Sequence, residues 1–334
     1  MRKRNKGFTL VELLAVIVIL ALIALIATPI ILNVISDAKK QAAKDSAYGY
    51  MDAVEKYIVS SELEDKSIND GPYSVEELNS MGVSVKGSIP DNGTIKIESG
   101  SVKSYDIGID GYEVRNGEVK KVSTTKSFKN GTAVYYNPEI GKKCSESESK
   151  STTGTKSGCM KWYVFNDKEG NATVNVILDH NTTAGVAYNS TGSNSEMKEV
   201  KKALENDTGT WENTARLITA NEVAKITEKT GFDASKENQD WFCLDTNQPD
   251  TTSYCAKAQG KSEYAWLFDY TNECTKYGCN ISDSNTWGYW ISTSYKGNST
   301  HAWHIRRFGY LSYDGVTDAV NGIRPVITIS KSNI

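Results

Sequence analysis

The chain has 334 residues, a length that suits two or three domains. It carries 38 Lys and Arg residues against 41 Asp and Glu residues, a formal net charge of −3 at pH 7. Proteins that bind nucleic acids usually present a basic surface to the phosphate backbone, so this charge gives no indication of a nucleic-acid partner.

The first 32 residues combine a basic stub with a long apolar run. No charged residue occurs from Leu13 to Leu32. Twenty helical residues span about 30 Å at about 1.5 Å each, the thickness of the hydrocarbon core of a bilayer. Positive residues stay on the cytoplasmic side of a membrane, so we expect a single-pass membrane protein with a cytoplasmic N-terminus and an extracellular part after Asn33. The basic residues of the stub are Arg2, Lys3, Arg4 and Lys6.

Two simple interpretations of this run are a secretory signal peptide and a plain membrane anchor. The run is longer than the apolar region of a typical signal peptide, and no Ala-x-Ala type of cleavage site follows it. A plain anchor leaves Glu12 unexplained, because a carboxylate near the start of a membrane helix costs a few kcal/mol unless it is paired.

Residues 7–12, GFTLVE, resemble the cleavage and methylation site of type IV prepilins and pseudopilins. The resemblance implies that a membrane-bound prepilin peptidase cuts between Gly7 and Phe8 and then methylates the new N-terminus at Phe8. It also implies that Glu12 is the assembly residue and that Pro29 is the helix-kinking proline of the family. In a filament, the amine of Phe8 would pair with Glu12 of a neighbouring subunit, because an unpaired carboxylate is costly in a low-dielectric core.

The helix is predicted to continue beyond the membrane, with residues 1–7 as the leader, 8–70 as the helix and 8–32 as its membrane span. Ile31, Ile35, Ala38 and Ala42 keep a helical apolar spacing, which resumes one position later at Ala47, Met51, Val54 and Ile58. We expect this stripe to pack on the domain that follows. The helix is predicted to end between Ser60 and Asp70, because residues 69–72, NDGP, are a strong break signal.

Residues 71–125 are predicted to form a small antiparallel β-meander that packs on the helix. Ser74 and Glu77 have the spacing of a capping box, and the short helix they open should end at Gly82. Alternating runs follow, separated by Asn-Gly and Asp-Gly pairs, which are typical of hairpin turns. The segment is too small and polar to hold a core alone.

Residues 126–334 are predicted to form a separate domain, since every Trp, Cys and His lies there. Residues 160–165 and 172–178 have the pattern of a β-hairpin, and residues 196–206 and 222–229 that of two helices, the second with a capping box at Thr219 and Glu222. Three more predicted strands lie at residues 287–292, 302–308 and 322–329.

These last three segments resemble an uncharacterised bacterial surface domain similar to the C-type-lectin-like fold of formylglycine-generating enzymes. The residues that carry the resemblance are GYW at 288–290, AW at 302–303 and GIRPVI at 322–327. The resemblance implies a surface domain with a possible glycan or protein ligand. The fold class expected for the whole chain is therefore α+β, with a long transmembrane helix on a pilin-like β-meander followed by a mixed α+β, disulfide-containing lectin-like domain.

The six cysteines suit an exported domain. Six cysteines allow fifteen pairings, and the sequence alone does not select one. Short spacings favour Cys144 with Cys159, Cys243 with Cys255, and Cys274 with Cys279. The spacing of these cysteines does not match the ligand spacing of structural zinc sites. Disulfides are therefore favoured, since they are usual in exported chains.

No catalytic, cofactor or metal site is predicted. His301 and His304 should point to opposite faces of a strand, and His180 follows a strand end, so surface or satisfied core positions are favoured for all three. The calcium-ligand motifs of lectins are missing, and the spacing of the acidic residues in a loop-rich stretch matches no calcium loop. Most of the strand aromatics are expected in the core. The acidic residues of the loop-rich stretch are Asp240, Asp245 and Asp250. The strand aromatics are Trp287, Tyr289, Trp290 and Trp303.

The function predicted from the sequence is that of a pilin-like structural subunit, not an enzyme. Its expected partners are the prepilin peptidase and methyltransferase, other pilin or pseudopilin subunits, and the membrane. The bulk of the added domain favours a minor, tip-located or adhesive subunit. The alternatives are a pseudopilin of a type II secretion or DNA-uptake machine, and a membrane-tethered enzyme or receptor.

Overall fold

The computed structural model describes residues 10–64, 68–122, 127–151, 156–228, 233, 264–267, 286–306 and 310–334. Its first element is the helix α1, Leu10–Leu63. The C-terminal end falls within the predicted interval. Burial begins at Ala43, so the predicted apolar stripe is buried from Ala47 to Ile58 but exposed at Ile31 and Ile35.

A five-stranded antiparallel meander follows α1, as predicted, with the strands in sequential order. Its first strand contains Pro72, although the sequence predicted only a chain break there. Pro72 pairs with Lys96 on an edge strand, where a missing N–H is tolerated. The elements are β1 Gly71–Ser74, α2 Val75–Met81, β2 Asn92–Glu98, β3 Ser101–Ile109, β4 Tyr112–Arg115 and β5 Glu118–Lys121.

Local signals account for α2 and for the tight turns of the meander. The Ser74 hydroxyl accepts a hydrogen bond from the backbone N–H of Glu77, and Gly82 ends the helix in a left-handed conformation. Asn116 and Gly117 both have positive φ, at 47° and 86°, which is the geometry of a type I′ hairpin turn.

The meander packs one face against the outer half of α1. Ile95, Ile97 and Ile107 are fully buried there, against helix residues that include Tyr50 and Val54. The hydroxyl of Tyr50 donates to the side-chain oxygen of Asn79 over 2.7 Å, which ties α1 to α2.

The second sheet contains the predicted hairpin, whose strands pair from Trp162 with Leu178 to Phe165 with Asn175. The strand at residues 326–330 joins the same sheet by pairing with the second strand of the hairpin. This pairing brings together residues more than 140 positions apart in sequence. The strand order is β15-β9-β8-β6-β7, all antiparallel. The bounds are β6 Ala133–Asn137, β7 Lys142–Lys143, β8 Met160–Phe165, β9 Thr173–Leu178 and β15 Val326–Ser330.

The third sheet has the order β10-β14-β11-β12-β13, with one parallel pair between β11 and β14. The single predicted strand at 322–329 is instead two strands in two sheets. They are separated by Arg324 and Pro325, where Pro cannot donate to a ladder and the Arg324 guanidinium donates to three backbone carbonyls. The bounds are β10 Thr183–Val186, β11 Gly288–Ser294, β12 His301–Arg306, β13 Tyr310–Gly315 and β14 Asn321–Ile323.

Three further helices lie among these strands. Helix α4 begins two residues later than predicted, and in α5 both hydrogen bonds of the predicted capping box are present. The helix between Cys144 and Cys159 was not predicted from the sequence. Their bounds are α3 Glu146–Ser151, α4 Lys198–Thr208 and α5 Ala220–Ile226.

The opposite face of the meander contacts the second sheet and the chain near it. The Asn92 amide donates to the carbonyl of Thr173 over 2.9 Å, and the hydroxyls of Thr94 and Thr328 are 3.2 Å apart. All these groups are buried. Because successive side chains of a strand point to opposite faces, the isoleucines of β2 and β3 face α1 while the intervening polar residues face the second sheet.

Candidate functional site

The first half of α1 is a surface that the other described residues do not cover. Residues 10–42 include no buried side chain, and Leu25 is 74% exposed. This helix is long and apolar enough to cross a membrane. Apolar surface of this extent requires lipid or other apolar helices around it. One helix therefore has an exposed apolar half and a half that packs on the meander.

Glu12 lies in the first turn of α1 and is exposed. A carboxylate in the first turn is favoured by the helix dipole, and its position is also accessible to a neighbouring helix. The predicted cleavage residues Gly7 and Phe8 lie outside the described residues.

Pro29 lies inside α1, and the helix continues through it. Its ring nitrogen cannot donate to the carbonyl one turn earlier. Next to it, the Thr28 hydroxyl donates to the carbonyl of Ala24 over 2.6 Å. This bond goes to the carbonyl next to that of Leu25, which Pro29 leaves without its helical donor, and such hydroxyl bonds to the carbonyl one turn earlier often bend membrane helices.

Cys144 and Cys159 form a disulfide with a Cα–Cα distance of 6.0 Å. It closes the loop that contains α3, between β7 and β8. Cys243, Cys255, Cys274 and Cys279 lie outside the described residues, as do Asp240, Asp245 and Asp250.

Two histidines are buried beside carboxylates. The Nδ1 atom of His304 is 2.8 Å from a carboxylate oxygen of Asp314, and the Asn321 amide donates to the same carboxylate. Burial lowers the pKa of His304, against the opposing effect of Asp314. His180 contacts Asp179 in the same way. In the described part of the chain, no group of three or more His, Cys, Asp or Glu side chains is arranged to hold a metal.

Two polar clefts lie on either side of α2, where the meander meets the C-terminal part. The larger has a volume of about 690 Å³, and the other about 460 Å³. Glu77 faces the larger one, and burial raises its pKa to about 7, with the charge of Glu222 adding to the effect and that of Arg216 opposing it. Hydroxyls, amides and carboxyls along these clefts can exchange hydrogen bonds with a polar ligand. The lining of the larger cleft includes Glu77, Ser80, Asn221, Ser292, Thr293 and Lys296.

No local sequence pattern indicates the buried ion pairs. Arg216 and Glu222 are bonded through two contacts of 2.8 and 2.5 Å, both side chains nearly without exposure. Glu222 was recognised only as a capping residue. Helix α3 did have a sequence signal, since Ser145 and Glu148 have capping-box spacing. In the structure, the side chain of each residue accepts a hydrogen bond from the backbone N–H of the other.

Most of the strand tryptophans are core residues, as predicted. Trp290 and Trp303 are fully buried, together with Tyr289, whereas Trp287 is 41% exposed and stacks under the guanidinium of Arg306.

Comparison with known proteins gives one match. Residues 2–28 match the family model of the prokaryotic N-terminal methylation motif, which contains the predicted cleavage residues and Glu12. No curated protein and no solved structure matches the chain. The motif and the long apolar helix that follows it support a membrane-anchored N-terminus. The chain therefore carries, at its N-terminus, the methylation motif typical of type IV prepilins and pseudopilins, directly ahead of a long apolar helix.

Proposed function

We propose that the mature protein begins at methylated Phe8 and is assembled from the membrane into a pilus or pseudopilus. The observation that carries this proposal is the division of α1 at Ala43. Before it, the helix is exposed and its apolar run up to Leu32 holds one carboxylate, Glu12, and after it the helix is packed on the meander. Such a helix can move from lipid into a bundle of identical helices without unfolding the part that carries the rest of the subunit.

Glu12 is the proposed contact with the adjacent subunit. Removal of residues 1–7 creates a positive amine at Phe8, and pairing with Glu12 of a neighbour offsets the cost of burying both charges. Within the membrane the same carboxylate lies near the cytoplasmic interface, where it is less costly than at the bilayer centre.

The C-terminal part is proposed to be displayed on the outside of the filament and to serve adhesion to a glycan or protein. Its contacts with the meander support display as one body with the subunit, because Asn92, Thr94 and Asp106 are buried against it. Its size favours a minor or tip subunit, since a major subunit would have to accommodate it at every repeat.

A Glu12→Ala substitution tests the assembly role. We expect membrane insertion and processing at Gly7 to be retained, while incorporation into sheared surface filaments is lost. Asp37→Ala is the matched control, since Asp37 is an exposed carboxylate of the same helix beyond the apolar run. N-terminal peptide spectrometry on the native protein supplies the second readout, with methylated Phe8 expected at the N-terminus.

The alternatives give different results. A membrane-tethered enzyme or receptor would be indifferent to Glu12→Ala, and a chain that still starts at Met1 would contradict the prepilin proposal. A pseudopilin would be processed in the same way but found in a short periplasmic or envelope-associated assembly instead of surface filaments.

A further inference from the structure

Lys331 and Asp167 form an ion pair that is withdrawn from solvent. Lys331 Nζ is 2.8 Å from Asp167 Oδ1, and both side chains have 0% exposure. Asp167 lies in the turn between β8 and β9, and Lys331 directly follows β15. The desolvation of two such charges costs several kcal/mol per ion, which their attraction repays only with very good geometry and further hydrogen bonds.

The hydrogen bonds around the pair match those of an amide. Asp167 Oδ2 accepts from the backbone N–H of Phe128 over 3.0 Å, and Lys331 Nζ donates to the carbonyl of Lys168 over 3.0 Å. Asp167 Oδ1 is buried, and no hydrogen bond of good geometry reaches it from the described residues. If Oδ1 were lost, Oδ2 would be the oxygen of a neutral amide and Nζ its nitrogen, each with a partner already in place.

A second carboxyl, that of Asp91, is available to carry a proton. Asp91 lines the same cleft as Asp167 and lies near enough to Lys331 for their charges to interact. Burial and the charge of Asp110 raise the pKa of Asp91, so this carboxyl holds a proton more readily than an exposed aspartate.

We propose that Lys331 Nζ and Asp167 Cγ become joined by an amide bond in the folded protein, a cross-link that fastens the segment after β15 to the β8–β9 turn. This inference does not depend on the filament function.

The step balances without an oxidant or another reactant. The ammonium of Lys331 gives up a proton, the amine attacks Cγ of Asp167, and the bond from Cγ to Oδ1 breaks. Two protons from the nitrogen and one oxygen from the carboxylate leave as water, with Asp91 as the carrier of the proton to Oδ1. The positive and negative charges disappear together, so the product buries a neutral group.

Peptide mass spectrometry on the full-length protein tests the cross-link directly. The protein is isolated from its native cells, denatured, reduced, alkylated and digested with trypsin. We expect residues 162–168 and 308–334 to be recovered as one joined species, lighter by one water than the two separate peptides. Trypsin cannot cut at Lys331 in that species because its side chain is acylated.

Variants supply the controls. Lys331→Arg keeps the positive charge and should abolish the joined species, whereas Lys168→Arg, at an exposed neighbour, should leave it unchanged. Asp91→Asn should reduce the joined fraction at early times after synthesis, and an unchanged time course would remove Asp91 from the step. Recovery of the wild-type protein only as the separate peptides 162–168 and 308–331 would overturn the proposal. This result is obtained on the wild-type protein, so it does not depend on whether any variant folds.

Discussion

Glu77 connects the protonation of a single side chain to the stability of the fold. Its pKa is raised from an ordinary 4.5 to about 7, chiefly by burial at the junction of α2 and the C-terminal part. The folded state therefore binds a proton more tightly than the unfolded chain. This contribution to stability is fully present below about pH 4.5 and is lost as the pH rises through about 7.

A Glu77→Gln substitution should remove this pH dependence. Between pH 5 and 8, we expect the unfolding free energy of the wild type to fall by about 1–2 kcal/mol more than that of the variant, a value reduced for partial solvent screening. Denaturant titrations of the detergent-solubilised protein at several pH values measure the difference. Parallel profiles for the two proteins would show that Glu77 has an ordinary pKa.

Single residues also show which sites can be predicted from sequence. The methylation motif is predictable because it lies in one linear segment, so the spacing of its residues itself carries the information. Lys331 and Asp167 are 164 positions apart, and no local pattern indicates that they meet.

The same contrast holds for whole elements. Helix α2 and the β8–β9 hairpin depend on caps, turns and alternation within a few residues, and both were predicted. The strand β1 was missed because Pro72 normally interrupts a strand, and only its position at a sheet edge permits it. The division between β14 and β15 depends on three carbonyls that accept from Arg324, and two of them belong to Trp266 and Leu267, far away in sequence.

Helix α1 depends on its buried stripe for its attachment to the meander. Ile58 is 1% exposed in the core shared by α1 and the meander, while its neighbour Val59 is 55% exposed. Ile58→Ala should lower the unfolding free energy by about 2–4 kcal/mol, because it leaves a cavity as well as removing buried apolar surface.

Val59→Ala is the control for the same helix and should change the unfolding free energy by less than about 0.5 kcal/mol. Thermal unfolding monitored by the near-UV signal of the tyrosines reports the packing of the meander. Equal effects of the two substitutions would mean that the outer half of α1 does not pack on the meander in solution.

The whole molecule is organised as layers, with α1 and the second sheet on opposite faces of the meander. The meander therefore connects α1 to the C-terminal part through packed contacts on both of its faces. Close approach of the two sheets occurs at Gly108, where a Cβ atom would lie 2.3 Å from the Thr173 hydroxyl and 3.0 Å from the side-chain oxygen of Asn92.

Gly108→Ala should therefore force the meander and the second sheet apart. We expect a lower unfolding temperature in thermal denaturation of the detergent-solubilised protein. Thr173→Ala in the same chain removes the nearest atom and should restore part of the loss, whereas it should destabilise the wild type by removing the hydrogen bond to Asn92.

Gly49→Ala separates this steric effect from a general effect of glycine replacement. Gly49 lies within α1, and its Cβ would meet only a methyl group of Val85 at 3.9 Å, so the change should stabilise the helix by about 0.5–1 kcal/mol. A Gly108→Ala protein as stable as the wild type, or one that Thr173→Ala fails to rescue, would contradict the close packing of the two sheets. The C-terminal part would then have to be regarded as tethered to the meander instead of docked on it.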